Sequence, residues 1–317
     1  MSDAPEVSVI VTVYDRVKYL SHALKSAIDQ TYRSVEIIVT DDSDSDEIRC
    51  IVASFNNPLI RYRCNPSTLG VALNLRAGIN EARGRYIAIL NDDDLWEPEF
   101  LTELVKKLDL DQRGVLSFCD HWIISESGEL DIQKSDHNTA LYGRDVLPEG
   151  IVTNPVGLLL ERNGIPLAMA ALFRKDAINW EMLVKEVSGA YDFWISCLLV
   201  STGRPIYYTP QRLTRYRVHG AMETARRSPD KNENMVYIYS KLKDMPCFID
   251  KKALLTNRYK QALFQSGKDN LHFNRIEIAR AYFFRSWKVK KNFKAIVGLS
   301  ISYLPRKIRT ILKLTKQ

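Results

Sequence analysis

Short apolar runs alternate with helix-spaced apolar positions through the first 90 residues of the chain. The runs are rich in Val and Ile and predict β-strands, at residues 7–13, 35–39, 59–63 and 85–90. Apolar residues that recur every three or four positions predict the intervening helices, at residues 20–30, after Asp46, and at 73–82. Because strands and helices alternate, we expect a doubly wound parallel sheet.

Acidic side chains follow these strands, at the point where each strand ends. Right-handed crossovers bring the carboxyl ends of parallel strands to one edge, where ligands bind in such sheets. We therefore expect the loops at 12–16, 41–46 and 91–96 to meet. Because three consecutive carboxylates at residues 92–94 repel one another, we interpret them as a site for Mg²⁺ or Mn²⁺ that holds a phosphate-bearing substrate. The alternative is an acidic turn exposed to solvent.

Several classes of protein are excluded or disfavoured by missing signals. The segment after the first strand, residues 12–16, lacks the glycines of a dinucleotide-binding fingerprint, and no P-loop sequence occurs. The five cysteines are scattered, which indicates free thiols in a cytosolic protein. No apolar run approaches the length of a membrane span, and residues 1–6 do not resemble a signal peptide.

The second half of the chain has a more varied pattern. We expect a polar, flexible loop at residues 131–144, a helix at 177–183, and an apolar helix at 195–200 that the segment 188–194 opens. Alternating residues predict two strands, at 206–208 and 213–218. From Asn232 onward the pattern is helical, with breaks expected near Pro246, Gly267 and Pro305.

The net charge of +7 conceals a contrast between the two ends of the chain. Residues 251–317 carry 17 Lys/Arg and 2 Asp/Glu, a net charge of +15, whereas residues 1–250 carry −8. Apolar and basic residues in this tail are interleaved as in amphipathic helices that lie on anionic lipid. We therefore predict peripheral attachment to the inner face of a membrane, with solubilising helices as the alternative. No RNA-binding or helix-turn-helix motif supports a nucleic acid partner.

Six segments together carry a family resemblance, at residues 7–14, 26–32, 36–43, 70–84, 91–94 and 216–220. The chain resembles family 2 glycosyltransferases, closely over residues 5–125 and in patches to about residue 225. The resemblance implies an α/β, GT-A (Rossmann-like) fold, in which a mostly parallel sheet is flanked by helices. It implies a nucleotide-sugar-binding half at 1–125, an acceptor-binding half at 126–225, and a basic helical extension at 226–317.

The resemblance also implies roles for individual residues. The residues that would contact the nucleotide-sugar are Thr12, Tyr14, Asp42, Arg76 and Asp92. The residues that would bind Mn²⁺ or Mg²⁺ are Asp93, which we favour, Asp94 and His219. Two of these residues have an alternative role without a ligand. Tyr14 could pack on the first helix, and His219 could be a surface residue. Asn91 departs from the family pattern, which often has Asp there. Arg215 and Arg217 are candidates for phosphate contacts.

At the position of the catalytic base the sequence departs from the family pattern. Family members invert the anomeric centre with a carboxylate that deprotonates the acceptor hydroxyl, yet Ala190 occupies the position of the common base. Asp192 is the nearest acid and our predicted base, with Glu186 as the alternative. Asp192 could instead cap the helix that follows it.

The function that follows is an inverting, metal-dependent glycosyltransferase. We expect it to use a nucleotide-sugar, UDP-linked, and a glycan or lipid-linked acceptor in bacterial surface polysaccharide or glycoconjugate synthesis. One alternative is a sugar-phosphate nucleotidyltransferase, although that class has a Gly-rich loop after the first strand. The other is a catalytically inactive nucleotide-binding module of the same fold, which Ala190 and Asn91 leave open.

Overall fold

The computed structural model describes residues 4–43, 45–220, 230–291, 293–305 and 308. The chain divides into two compact units, Met1–Met222 and Glu223–Gln317. The first unit contains a β-sheet with helices on both of its faces. The second unit is helical in its described part.

The described strands of the first unit form one mixed sheet, in the order β3-β2-β1-β4-β8-β6-β9-β5, with β7 paired to β9. The strands are β1 Val7–Val13, β2 Val35–Asp41, β3 Ile60–Cys64, β4 Tyr86–Asn91, β5 Leu95–Trp96, β6 Leu116–Ile124, β7 Gly150–Ile151, β8 Ala171–Arg174 and β9 Ile206–Arg217. The first four strands are parallel, as predicted, and β6 is parallel to β9. Strand β8 is antiparallel to both of its neighbours.

The helices of the first unit connect these strands. They are α1 Leu20–Ile28, α2 Asp46–Ser54, α3 Val71–Glu81, α4 Phe100–Leu110, α5 Ile132–Leu141, α6 Pro155–Gly157, α7 Leu167–Ala170 and α8 Tyr191–Ser201. Shorter helical turns occur at Leu158–Arg162, Lys175–Ala177, Trp180–Met182 and Lys185–Ala190. The predicted alternation of strands and helices over the first 90 residues is confirmed.

The centre of the sheet explains why the polar loops gather at one edge. Strand β1 is almost wholly buried because its Val and Ile side chains face helices on both sides. Gly78 lets α3 approach closely, since an added Cβ would lie 2.8 Å from Ile10 of β1. Thr12 is paired in register with Thr40 of β2 and with Asn91 of β4. The carboxyl ends of these three strands are therefore level, and the loops that follow them are neighbours.

Helix α5 stands where the polar sequence of residues 131–144 predicted a flexible loop, and that prediction is wrong. The Asp131 carboxylate caps the helix by accepting the N–H of Lys134 at 2.9 Å. The Ser135 hydroxyl accepts the N–H of Ile123 in β6 at 2.8 Å. Polar contacts rather than an apolar stripe attach this helix to the sheet, so the hydrophobic pattern gives no sign of it.

One predicted helix and one predicted strand break are also wrong. Residues 177–183 contain only short 3₁₀ turns. The Trp180 indole donates to the Lys175 carbonyl at 2.7 Å, and this bond holds the segment in a turn instead of a continuous helix. The strands predicted at 206–208 and 213–218 are one strand, β9. Its pairing with β6 continues through two register shifts, one on each side of Asp120.

The second unit consists, where described, of α9 Asp230–Leu242, α10 Lys252–His272, α11 Ile276–Lys290 and α12 Phe293–Ser302, with a 3₁₀ turn at Pro246–Lys251. The break predicted near Pro246 is confirmed, and the break predicted near Gly267 is wrong. Helix α10 continues through Gly267 because this residue makes room for Phe283 of α11, whose ring lies 2.6 Å from where a Cβ would be. Among the described residues, no helix has both the length and the apolar character needed to cross a bilayer.

Candidate active site

The acidic segment after β4 forms a buried turn. Asp92, Asp93 and Asp94 are only 3%, 7% and 0% exposed. The turn leads directly into β5, where Leu95 pairs with Arg215 of β9. This burial excludes the alternative of a solvent-exposed acidic turn, and it means that the carboxylates need partners inside the protein.

Arg16, on the loop after β1, bridges two of these carboxylates. Its Nη2 donates to Asp92 Oδ1 at 2.5 Å, and its Nη1 donates to Asp93 Oδ2 at 2.6 Å. The side chain of Arg16 is 31% exposed, whereas those of Asp92 and Asp93 are 4% and 9% exposed. These contacts confirm that the loops after β1 and β4 meet at the carboxyl edge of the sheet.

The end of β9 supplies further partners for the acidic turn. His219 Nε2 lies 3.1 Å from Asp93 Oδ2, the oxygen that Arg16 also contacts. The backbone N–H of Arg217 donates to Asp94 Oδ1 at 3.0 Å, and the Asn91 amide donates to Asp94 Oδ2 at 2.9 Å. Asp93 therefore faces His219, whereas hydrogen bonds within the turn hold Asp94.

The two arginines that the sequence suggested for phosphate contacts have partners within the protein. Arg215 forms a two-point ion pair with Glu97, with N···O distances of 2.6 and 3.2 Å. The guanidinium of the buried Arg217 donates to the carbonyls of Asp93 and Glu126 at 3.0 and 3.1 Å. Arg217 thus stabilises the backbone of the acidic turn.

Burial makes the acidic turn unfavourable for free carboxylates. It raises the pKa of Asp92 to about 7, even though the Arg16 guanidinium opposes the shift. Burial together with the neighbouring charge of Asp93 raises the pKa of Asp94 to about 8. Because a cation stabilises the ionised form of a carboxyl group, a divalent metal at this turn would act against both shifts.

The acids after β2 form a second cluster, in which neutral donors satisfy the carboxylates. Asp42 Oδ1 accepts the Asn65 amide and the N–H of Leu69, both at 2.8 Å. Asp42 Oδ2 accepts the N–H of Gly70 at 2.7 Å. Both oxygens are therefore held by the turn that precedes α3, which fixes the direction of this carboxylate.

Asp41 and Asn74 complete the second cluster. Asp41 accepts the Tyr62 hydroxyl at 2.7 Å and the N–H of Ser43 at 2.8 Å, so it is a turn-stabilising acid. The buried Asn74 amide donates to the Thr40 carbonyl at 2.9 Å and accepts the Thr40 hydroxyl at 2.7 Å. Through these contacts α3 is fixed to the end of β2.

The remaining predicted nucleotide contacts are spread around the same edge. Thr12 is half-buried near the end of β1, and Tyr14 just beyond it is 51% exposed. The N–H of Asp42 donates to the Val13 carbonyl at 3.0 Å, which places the second cluster beside β1. Arg76, on α3, instead pairs with Glu181 at 2.9 Å. The structure therefore does not join Arg76 to the acidic turn.

Helix α8 carries the predicted base. Ala190 is its N-cap, so Asp192 lies in the first turn of the helix and is not the cap itself. The Tyr191 hydroxyl donates to Asn91 Oδ1 at 3.1 Å, which attaches the start of α8 to the acidic turn. Ser188, just before the helix, has a φ of 28°, a strained backbone conformation of the kind found at active sites. Burial raises the pKa of Asp192.

The pair formed by Asp93 and His219 fits a divalent cation. Neighbouring ligands of an octahedral ion, each about 2.1 Å from the metal, lie about 3.0 Å apart. Asp93 Oδ2 and His219 Nε2 are 3.1 Å apart, a separation that matches such a pair of ligands and is also that of the direct hydrogen bond between them, and Arg16 places positive charge beside the same oxygen. Within the described ranges no group of three His, Cys, Asp or Glu side chains forms a ready cage. Sites for Mg²⁺ are commonly completed by substrate phosphates and waters.

Sequence reasoning missed three residues of this site, namely Arg16, Asn74 and Tyr191. Arg16 had a usable signal, since it is a basic residue in one of the loops expected to meet the acids. Asn74 and Tyr191 look like ordinary helix residues, because their roles depend on which strand end each helix contacts.

Comparison with known proteins agrees with this architecture. A family model for glycosyl transferase family 2 matches residues 8–178. An uncharacterized glycosyltransferase of Rickettsia typhi is 30% identical over 223 residues, which is 70% of this chain and 66% of the relative, slightly less than two thirds of its length. The UDP-Glc:alpha-D-GlcNAc-diphosphoundecaprenol beta-1,3-glucosyltransferase WfgD of Escherichia coli is 28% identical over 194 residues, covering 61% of this chain and 69% of the relative.

Solved structures share the fold at low sequence identity. The crystal structure of S. aureus TarS 1–349 in complex with UDP-GlcNAc matches with a TM-score of 0.64 and 14% identity, covering 97% of this chain and 92% of that chain. The fold is thus GT-A, a mostly parallel mixed sheet flanked by helices and followed by a helical region. Since the family model covers more than half of the sequence, the chain belongs to glycosyl transferase family 2.

Proposed function

We propose that this protein is an inverting glycosyltransferase that moves a sugar from a UDP-sugar to a hydroxyl of a glycan or lipid-linked acceptor, in bacterial surface polysaccharide or glycoconjugate synthesis. The main support for this proposal is that Arg16, Asp92, Asp93 and His219 meet at the carboxyl edge of the sheet. A diphosphate is repelled by such an acidic turn unless a cation lies between them. The nucleotide and a divalent metal would therefore bind together.

The donor would be bound by residues 1–125. The exposed ring of Tyr14 offers a face for the base, and the fixed carboxylate of Asp42 lies close by as a hydrogen-bond acceptor. Asp92 would meet the ribose. Thr12 and Arg76 would line the pocket, Arg76 after exchanging its exposed partner Glu181 for a phosphate. WfgD is named for a UDP-Glc donor and the TarS complex contains UDP-GlcNAc, which supports a UDP-linked donor.

Asp93 and His219 would hold the cation, Mn²⁺ or Mg²⁺. A nitrogen ligand beside a carboxylate suits Mn²⁺ better than Mg²⁺. When bound, the ion would neutralise the departing diphosphate. Because Arg217 and Asn91 already satisfy the carboxylate of Asp94, we assign that residue to support of the turn and keep it only as an additional ligand.

Asp192 would act as the general base. Its carboxylate would take the proton of the acceptor hydroxyl as that oxygen bonds to the anomeric carbon and the bond from that carbon to the diphosphate breaks, which inverts the configuration. The raised pKa of Asp192 makes it a stronger base than an ordinary aspartate. The bond between Tyr191 and Asn91 would keep α8 beside the donor. Glu186, the alternative base, is exposed on the turn before α8.

Residues 226–317 would bring the enzyme to the anionic, cytoplasmic face of the membrane as a peripheral protein. Exposed apolar side chains lie among lysines on the last two described helices, namely Phe284, Trp287, Phe293, Ile296 and Val297. The acceptor in the name of WfgD is a diphosphoundecaprenol lipid, which supports a lipid-linked acceptor here. We expect the protein to sediment with anionic vesicles at low salt and to be released at high salt. Equal recovery with neutral vesicles would contradict this part of the proposal.

A panel of nucleotide-sugars incubated with Mn²⁺ tests the whole proposal. We expect slow hydrolysis of one UDP-sugar and its acceleration by a hydroxyl acceptor. Formation of nucleoside triphosphate from pyrophosphate would indicate the nucleotidyltransferase alternative instead. Tight binding of UDP with no turnover of any donor would indicate the inactive binding module.

A further inference from the structure

The position of Arg16 has a consequence for metal binding. Its guanidinium donates to Asp93 Oδ2 at 2.6 Å, and His219 Nε2 lies 3.1 Å from that same oxygen. Arg16 and His219 thus both contact Asp93 Oδ2, and a bound cation would contact the same atom. A divalent ion that bound this oxygen would compete with the guanidinium for it.

Arg16 is the most exposed member of this group. The Asp92 and Asp93 side chains are almost fully buried, and the carbonyl of Asp93 is held by Arg217 at 3.0 Å. The Arg16 side chain is 31% exposed and extends from the loop between β1 and α1. The carboxylates are therefore fixed, and any exchange of their counter-ion has to occur through movement of Arg16.

A displaced guanidinium would still have a use in the proposed reaction. Arginine binds phosphate groups through two parallel N–H bonds, and the diphosphate would arrive at the same edge of the sheet. Neither Arg215 nor Arg217 is as available, because one is paired with Glu97 and the other is bound to backbone carbonyls. Arg16 is also the cation that lies directly against the predicted metal ligand.

We propose that Arg16 is a resident counter-ion that occupies the metal position in the donor-free protein and is exchanged for the divalent cation when the donor binds, after which it contacts the diphosphate. This inference rests on the proposed metal-assisted function. Arg16 competes with free metal but cooperates with the metal–nucleotide complex. The protein therefore binds a metal–nucleotide pair in preference to metal alone.

The test uses the full chain and Mn²⁺, with free Mn²⁺ measured by electron paramagnetic resonance, in the presence and absence of UDP. The variants are Arg16→Gln and Arg16→Lys. The matched control is Arg85→Gln, because Arg85 also bridges two carboxylates, those of Glu6 and Asp109 at 3.1 and 3.0 Å. Arg85 immediately precedes β4, so it lies at the opposite end of that strand from the acidic turn.

Two opposite changes are expected for Arg16→Gln. Without UDP, Mn²⁺ should bind about fivefold more tightly than to the wild type, a difference of the size that removal of one competing ion pair can produce. In the presence of Mn²⁺, UDP should bind several-fold more weakly, since the contact to the diphosphate is lost. Arg16→Lys should lie between, and Arg85→Gln should match the wild type in both measurements. A purely structural role for Arg16 would not move the two affinities in opposite directions.

Each remaining outcome contradicts a defined part of the account. Equal Mn²⁺ affinity in wild type and Arg16→Gln would overturn the exchange while leaving the metal-assisted function standing. Absence of Mn²⁺ binding in every protein, with and without UDP, would overturn both. If Arg16→Gln does not fold, the exchange can be tested in the wild type by following the Arg16 Nε–H signal with nuclear magnetic resonance. It should shift when Mg²⁺ and UDP are added, whereas a signal that stays unchanged while both bind would overturn the exchange.

Discussion

The two acidic clusters at the carboxyl edge of the sheet look alike in sequence but differ in how their charge is balanced. At the end of β2, the carboxylates of Asp41 and Asp42 accept hydrogen bonds from neutral N–H and O–H groups. After β4, Asp92 and Asp93 depend on the cationic Arg16, and Asp93 also contacts His219. The first cluster is satisfied by neutral groups, whereas the second includes a cationic partner that we propose a metal ion replaces. An acid that ends a strand thus indicates a metal site only when its partners are themselves replaceable.

The largest expected effect concerns a carboxylate outside both clusters. Asp192→Asn should lower the transfer rate by about 10²–10⁴-fold, the usual contribution of a general base. Binding of UDP, measured by calorimetry, should stay the same, because Asp192 faces the acceptor in the proposed arrangement. Full activity in this variant would refute the assignment, and Glu186→Gln is the companion variant that would then be tested.

The pH dependence of transfer follows from the same residue. Burial raises the pKa of Asp192 above the 3.8 of an ordinary aspartate. The base must be ionised to accept a proton, so the rate should fall as pH decreases through this raised value. A profile of kcat against pH should therefore lose activity on its acidic side at a higher pH than an ordinary aspartate would give. The loss should be missing from the residual activity of Asp192→Asn.

The next effect concerns Asp93, the predicted metal ligand of the cluster after β4. Asp93→Asn should lower kcat/KM by about 10²–10³-fold, as removal of one electrostatic contact in an active site commonly does. It should also weaken Mn²⁺ binding in the presence of UDP. The matched control is Asp109→Asn, a carboxylate that pairs with Arg85 away from the site. Unchanged Mn²⁺ affinity in Asp93→Asn would remove this residue from the metal site.

A smaller effect is expected in the other cluster, on stability and on the proposed contact with the base but not on metal binding. In Asp42→Asn an NH₂ group would replace one of the two carboxylate oxygens, of which Oδ1 accepts the N–H of Leu69 and Oδ2 accepts the N–H of Gly70, so that a buried donor would face a donor. The free energy of unfolding should fall by about 1–3 kcal/mol, measured by urea denaturation. Affinity for Mn²⁺ should be unchanged. The clusters would not differ as described if Asp42→Asn weakened metal binding as much as Asp93→Asn.

The sheet and the location of the site could be predicted from sequence because both follow from local pattern. Apolar runs specify β1 to β4, and handedness then brings their carboxyl ends together. The partners of the acids could not be predicted, since Arg16 and Asp93 are 77 residues apart and only the packed loops bring them into contact. The same limit explains α5, which polar contacts to β6 attach where no apolar stripe exists.

The long helix α10 shows a different limit of prediction. Gly267 has the local signal of a helix break, yet it lies inside the helix because Phe283 of α11 fills the space beside it. A glycine that permits close packing cannot be told from one that ends a helix unless the neighbouring helix is known. The roles of Asn74 and Tyr191 have the same origin, since each depends on a contact between distant segments.

The most direct test of the difference between the clusters is the anomalous diffraction of crystals soaked with Mn²⁺ and UDP. We expect a manganese peak about 2.1 Å from Asp93 Oδ2 and His219 Nε2, with Arg16 moved off the carboxylate. A peak bound to Asp41 or Asp42, or manganese held only by UDP with Arg16 still on Asp93, would contradict it.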